Sequence, residues 1–335
     1  MGQGRQGLGR AGRLRLARAA AGLWLLCGAA AAAGSTFPSK PVRLILGFPP
    51  GGATDLVARA IQPRMAAGFG HPLVIDNRPG ANGIIAGELT ARADPDGHTI
   101  LFGHIGVLVI SPAIQKVPFD QARDFAPVGQ AVQLQNLLIT HPTLAVRSMK
   151  EFIALANARP GHINYASSGI GSPGHLAAVL LESMAKIRLT HVPYKGGGPA
   201  ITDLLAGHVP AFFAVISTGV PHVQSGRVRG IAVTGTRRAE ALPEVPTVAE
   251  AGVPGYAATN WYGLLVPART PAAIIDRINR EMTAALNAPD VSEGLKARGI
   301  DAAPNAPAAF AAFIRAETAK WRPIVQQSGL KPDGG

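Results

Sequence analysis

The 335-residue sequence has one cysteine, Cys27, only 5% aromatic residues and only 16% charged ones. A lone thiol closes no intrachain disulfide. Sparse charge beside 47% apolar residues excludes a charge-solvated disordered chain. Few aromatics, and basic residues scattered so that Arg237-Arg238 is the one adjacent pair beyond the first 33 residues, exclude a base-stacking surface, so no nucleic-acid partner is expected. The nine histidines lack His-x-x-x-His or Glu-paired spacing, and no metal site is expected. Acids are scarce: 20 Asp and Glu against 32 Lys and Arg, and none precedes Asp55.

The acid-free start has the form of a secretory leader. Arg5, Arg10, Arg13, Arg15 and Arg18 precede an apolar run from Ala19 to Ala33 that ends in Ala31-Ala32-Ala33, a small-x-small cleavage pattern. The run is Ala-rich, broken by Gly22 and Gly28, and shorter than the ~20 residues of a membrane span. Residues 1–33 are therefore expected to be a Sec signal, cleaved near Ala33. Leu26 before Cys27 argues against a lipoprotein, and no adjacent arginine pair indicates twin-arginine export. Cleavage removes five arginines, all the thiol and no acid, taking the net charge from +12 to +7.

With 40 glycines and 28 prolines, the remainder reads as a loop-rich globular chain of two domains. Strand-length apolar runs alternate with helical spacing. Strands are expected at 42–48, 73–75, 99–102, 137–139, 164–166, 189–193, 212–215 and 231–233. Helices are expected from residue 56, with Pro63 ending or kinking the first early, and at 84–93, 148–158, 175–185, 199–205, 272–286 and 307–328. This alternation predicts an α/β class with largely parallel sheets and, without a linker, strands that cross between domains.

Three glycine-rich turns join a strand to a helix. Phe48-Pro49-Pro50-Gly51-Gly52-Ala53-Thr54-Asp55 lacks the lysine of a phosphate loop; Thr54 or Asp55 caps the following helix, and Asp55 serves as well there as in ligand contact. The second, Ser167-Ser168-Gly169-Ile170-Gly171-Ser172-Pro173-Gly174, spells the dinucleotide glycine spacing, but no acid from Leu189 to Thr202 can hold a ribose, so no cofactor is expected. The third, His191 to Ala200, carries Lys195, with Asp203 one turn into its helix. Such turns present free N–H groups and a positive dipole end, which bind anions. Three or four charge-assisted bonds of ~1.5–3 kcal/mol approach the ~8 kcal/mol of micromolar binding, which suits a small carboxylate. A serine hydrolase is the rival: His175 follows Ser172 by three residues, but Ile170 stands where a nucleophile elbow needs glycine. Trp261 is expected in the core, with cleft lining second.

Together these segments resemble one family, the solute receptors of tripartite tricarboxylate transporters (Bug or TctC). The likeness runs from about Pro38 to Leu330. It rests on Phe48 to Gly52 with Asp55, Asn77-Arg78-Pro79-Gly80-Ala81, Asp96-Gly97, Tyr165 to Gly169 with Gly171-Ser172 and His175-Leu176-Ala177, His191 to Gly196, Pro246 to Gly252, Trp261-Tyr262-Gly263 and Thr270-Pro271. The resemblance implies a type 2 periplasmic-binding-protein fold, two α/β domains with a ligand cleft between them. Residues 34–137 with 259–335 are expected to form domain 1, and 138–258 domain 2. It implies a ligand carboxylate held between the first two loops, partly through ordered waters. The expected binding residues are Phe48, Pro50, Gly51, Gly52, Thr54, Asp55, Ser167, Ser168, Gly169, Gly171, Ser172, His175, Lys195 and Asp203. It further implies a membrane permease partner and no catalysis; the leader places the chain in the periplasm, a monomer is expected, and a sensor subunit that presents ligand to a signalling protein is a third reading. Departures from the family pattern are Pro210 after Gly207-His208-Val209, Asn82-Gly83-Ile84-Ile85 for a more glycine-rich turn, and His98 for a tyrosine.

Overall fold

The computed structural model describes residues 1–2 and 37–328, so the expected leader and its cleavage site lie outside the described residues. The strand Val42–Leu46 (β1) reads Val-Arg-Leu-Ile-Leu and is buried on both faces except for Arg43, whose guanidinium meets Asp76 at 2.6 Å. The chain then alternates: helix Ala53–Phe69 (α1), strand Leu73–Asn77 (β2), helix Ile84–Ala91 (α2) and strand Thr99–His104 (β3). A π-helical turn, Gly106–Ile110, leads to the short helices Ser111–Ile114 (α3) and Gln121–Asp124 (α4). Strand Phe125–Thr140 (β4) follows, then helix Met149–Ala158 (α5), strand Asn164–Ser167 (β5), helix Pro173–Ala185 (α6), strand Thr190–Pro193 (β6) and helix Gly197–Leu205 (α7). Strand Ala211–Val215 (β7), helix Ile216–Gln224 (α8) and strand Arg229–Val233 (β8) precede strand Thr259–Pro267 (β9). Helices Ala272–Leu286 (α9) and Pro289–Lys296 (α10), strand Ile300–Ala302 (β10) and helix Pro307–Ser328 (α11) complete the order.

The strands form one sheet in the order β2-β1-β3-β9-β4-β7-β5-β6, with β8 and β10 also on β4. The two wings, β2-β1-β3 and β7-β5-β6, are parallel. The middle is antiparallel, which corrects the expectation of largely parallel sheets: β9 pairs antiparallel with β3 and β4, and β4 with β7, β8 and β10. β9 reaches β3 and β4 only after the whole of residues 141–258, so its direction is not set by the single strand–helix–strand crossover that makes the wings parallel. β4 serves both wings. It pairs with β9 from Phe125 to Gln135 and with β7 from Asn136 to Thr140, changing partners between Gln135 and Asn136.

Pro63 does not end α1, which continues to Phe69. Pro63 and Arg59 both lie on the exposed face, so the Arg59 carbonyl that loses its donor is open to water. Trp261 lies in the core, fully buried and edge-on to Phe310. Its indole N–H donates to Glu317 Oε2 at 3.2 Å, and the Trp321 indole shares that oxygen at 3.3 Å. The described residues from 40 onward form one compact unit, to which all that follows belongs.

Candidate functional site

The three glycine-rich turns meet. α1, α6 and α7 begin where their strands end, and their first residues line one small cavity of about 40 Å³. Phe48, Pro50, Gly52 and Thr54 come to it from the β1 wing, and Ser168, Pro173, Gly197 and Thr218 from the β7-β5-β6 wing. His104, from the end of β3, and Tyr262, from β9, close its back. A second cavity of about 450 Å³ adjoins along Phe48, Pro49 and Ser168, and includes Asn82, Ser111, Gly169 and Lys195.

The inner cavity is rich in donors and has no charged residue in its wall. The N-caps of α1 and α7, Gly52 and Gly196, supply no side-chain cap, so the first N–H groups of both helices have neither an intrahelical nor a capping acceptor. Thr54 Oγ1 is buried without a partner. His104 Nδ1 accepts the Gly106 N–H at 3.0 Å, which puts the proton of the neutral ring on Nε2, and Nε2 is also buried and unpartnered. Burial alone lowers the His104 pKa to about 3, so the ring is a neutral donor at pH 7.

Several expected site residues stand behind this surface and shape it. Asp55 is 3% exposed and reaches neither cavity. Its Oδ2 accepts the Gly51 N–H at 3.0 Å and Arg59 Nε at 2.7 Å, and its Oδ1 accepts Asn77 Nδ2 at 3.3 Å. Burial opposes ionisation of Asp55, but these bonds, Arg59 first, outweigh it and hold the pKa below the usual carboxylate range. Gly51 takes φ +83°, a conformation that favours glycine, and also lies outside both cavities.

In the second loop Ser168 lines both cavities and Gly169 the outer one. Ser167 is fully buried; its Oγ accepts the Gly169 N–H at 3.1 Å and lies 2.6 Å from His191 Nε2. His191 stacks on His175, ring centroids 3.8 Å apart, and the Tyr165 ring lies 5.0 Å from His191 and 6.5 Å from His175. His175 Nδ1 accepts the Gly171 N–H at 3.1 Å. Ser172 Oγ caps α6 by accepting the backbone N–H of His175 at 3.4 Å, so the hydroxyl faces a peptide group, not the imidazole a hydrolase would need. In the third turn Lys195 stands exposed at the outer cavity. Asp203 accepts the Tyr194 hydroxyl at 2.8 Å and lies outside both cavities.

His104, Asn82 and Ser111 did not emerge from sequence reasoning. Their signal is burial without a partner, which only the folded chain shows. Asn82 alone had a local cue, its place between Gly80-Ala81 and Gly83 in a departure from the family pattern.

Two α/β wings joined through shared central strands, with a neutral, donor-lined cleft between them, define a solute-binding protein of the type 2 periplasmic fold. The sequence profile of the tripartite tricarboxylate transporter family receptors matches residues 57–330, and the chain belongs to that family. It is 39% identical over 295 residues to a UPF0065 protein from the tcbD-tcbE intergenic region of Pseudomonas sp. strain P51, covering 88% of each chain. Among solved structures it is similar to R. palustris Rpa4515 with adipate, at 33% identity and a TM-score of 0.85, covering 88% of this chain and 99% of that one. It is also similar to the periplasmic binding protein BugD, at 30% identity and a TM-score of 0.83, covering 88% and 99%.

Proposed function

We propose that this receptor holds the carboxylate of a small organic acid in the inner cavity and delivers the acid to the membrane permease of a tripartite transporter. The observation that carries the reading is the convergence of two uncapped helix N-termini on a cavity whose wall has no charged residue and includes Thr54 and His104, each with a buried donor that has no protein partner. Such donors need an acceptor, and a carboxylate offers lone pairs on two oxygens. Helix N-termini favour negative charge there by ~0.3–1 kcal/mol each, more when partly buried. The adipate in the R. palustris structure supports the same class of ligand. On this reading Gly52, Thr54, Ser168 and His104 touch the ligand, while Gly51, Asp55, Ser167, Gly171, Ser172, His175 and Asp203 hold the loops.

The lobes are residues 34–137 with 259–335, and 138–258; the partner change in β4 at Gln135 and Asn136 supports that division. The protein is a periplasmic monomer, exported on residues 1–33 and cut near Ala33, and it performs no catalysis. The peptide-facing hydroxyl of Ser172 supports the last point.

The test is a thermal-shift screen of mono- and dicarboxylates, amino acids and aromatic acids. A ligand at ~100 times its dissociation constant adds ~2.7 kcal/mol of stability. Thr54→Val and Ser168→Ala are each expected to weaken that ligand about tenfold while leaving the circular dichroism spectrum intact. Unchanged affinity in both variants overturns the placement of the carboxylate.

A further inference from the structure

The carboxylate site leaves the outer cavity unexplained. Two side chains in its wall have buried polar atoms with no protein partner: Asn82, through both Nδ2 and Oδ1, and Ser111, through Oγ. The backbone holds Asn82 there at a cost. Gly80, Ala81, Asn82 and Gly83 all take positive φ, from 46° at Ala81 to 138° at Gly80. Alanine resists that region while asparagine tolerates it better than most, so the strain falls mainly on Ala81 and persists because the surroundings enforce it. The amide is wedged across the cleft. A Cβ on Gly106 would stand 2.6 Å from Asn82 Nδ2, and one on Gly171, from the facing wing, 3.2 Å.

The chemistry of this pair is selective. Asn82 Nδ2 and the Ser111 hydroxyl donate, but Asn82 Oδ1 only accepts. A second carboxylate would satisfy the donors and set its charge against Oδ1. A hydroxyl or a primary carboxamide gives a hydrogen to Oδ1 and accepts one from Nδ2 or from Ser111. The one charged side chain of this cavity, Lys195, is exposed, so a far-end carboxylate meets no buried cation to form a strong charge-assisted pair.

We infer that the ligand is a monocarboxylate whose far end carries a neutral group that both donates and accepts, a hydroxyl or a primary carboxamide, and that Asn82 and Ser111 read that end. The inference rests on the carboxylate reading above, and one experiment separates the two. Calorimetric titration of the purified chain compares succinate, glutarate and adipate with their half-amides, with the ω-hydroxy acids of equal length, and with butyrate, pentanoate and hexanoate. At the best-fitting length the half-amide or hydroxy acid is expected to bind about tenfold or more tighter than the dicarboxylate. Asn82→Ala removes about tenfold and Ser111→Ala about fivefold of that affinity, and neither changes the plain monocarboxylate. Asn82→Gly, which suits φ 51°, keeps the test open if the alanine variant fails to fold. A dicarboxylate that binds as tightly as its half-amide, or a preference that survives both substitutions, overturns the inference and leaves the carboxylate site standing. Binding by none of the acids overturns both.

Discussion

Lowering the pH from about 7.5 to about 5 is expected to destabilise this protein through three histidines beneath the cleft. Burial holds His104 at about 3; burial, then the neighbouring His191, holds His175 at about 3; burial holds His191 at about 4. Each accepts or shares a hydrogen bond with a neutral group, from Gly106, Gly171 and Ser167, and among the described residues none pairs with a carboxylate. In the unfolded chain each titrates near 6.5. Between 6.5 and the native values the unfolded state binds protons that the native state refuses. The stabilising contribution is therefore complete above 6.5 and is lost as the pH falls toward 4 and then 3. Integrated from pH about 7.5 to 5, the loss is about 2 kcal/mol for each ring and about 6 kcal/mol for the three. Domains have roughly 5–15 kcal/mol in all, so the effect is large. Urea unfolding followed by tryptophan fluorescence across this range measures it. His104→Asn keeps an acceptor for the Gly106 N–H, and His191→Gln keeps a polar end beside Ser167; each variant is expected to lose about 2 kcal/mol less than the parent on acidification. A pH profile identical to the parent's in both variants refutes the argument.

Gly174→Ala places a Cβ 2.1 Å from the Phe213 carbonyl oxygen, where α6 lies on β7; a loss of about 1–3 kcal/mol or more in chemical denaturation is expected, and an unchanged midpoint contradicts it. Asp55→Ala leaves the Gly51 N–H without its acceptor and takes one of two from the Asn77 amide, which keeps the Phe48 carbonyl, costing about 1–3 kcal/mol and speeding hydrogen exchange at Gly51; exchange no faster than in the parent counts against the loop-holding role. Glu317→Ala strands two buried indole N–H groups, those of Trp261 and Trp321, at about 1–3 kcal/mol each, read as a lowered melting temperature. A double-mutant cycle of Thr54→Val and Ser168→Ala on carboxylate binding is expected to show a coupling of about 0.5–3 kcal/mol, since the two hydroxyls act on one group; strict additivity argues for separate partners.

The alternation of short apolar runs with helical spacing made both wings legible, and α9 and α11 fall at Ala272–Leu286 and Pro307–Ser328 as their periodicity predicts. β4 was legible only at Leu137-Leu138-Ile139. Its residues 125–135 carry Pro127, Gly129 and three glutamines, and it bends through irregular register at Pro127/Gly129 and Gln130/Val132, so no alternation marks it as a strand. Gly129 is there because Asn279 Nδ2 lies 2.5 Å from where its Cβ would be, a reason that sits 150 residues away in the chain. The glycine turns read as a candidate anion site because a strand, glycines and a helix start are local signals. Which of their residues face the cavity was not local. Asp55 reads equally as cap or ligand contact until Gly51 and Asn77 are seen to occupy its oxygens. His104 reads as an ordinary strand residue until Gly106 is seen to fix its tautomer.

Neutral donors change what the cleft can do. An arginine clamp would bind an anion from one side, with or without the facing wing. Here Gly52, Thr54 and His104 stand on one side and Ser168 and Gly197 on the other, and neither set contains a formal charge. Each alone offers an anion a few dipoles in competition with water. On the proposed reading they together replace its hydration shell inside a cavity too small to keep one, where lower effective dielectric strengthens every contact. Affinity for an anion and apposition of the two wings are then one equilibrium, and a ligand that prefers the apposed state shifts it by its differential affinity and no more. β4 runs through both wings. It trades β9 for β7 between Gln135 and Asn136, while the Gln135 side chain accepts the Gly235 N–H at 2.8 Å and the Asn136 N–H donates to Thr234 Oγ1 at 2.8 Å. Both of those bonds run to adjacent residues, Thr234 and Gly235, so the segment that follows β8 bridges the point where β4 changes partners and ties the two wings together there.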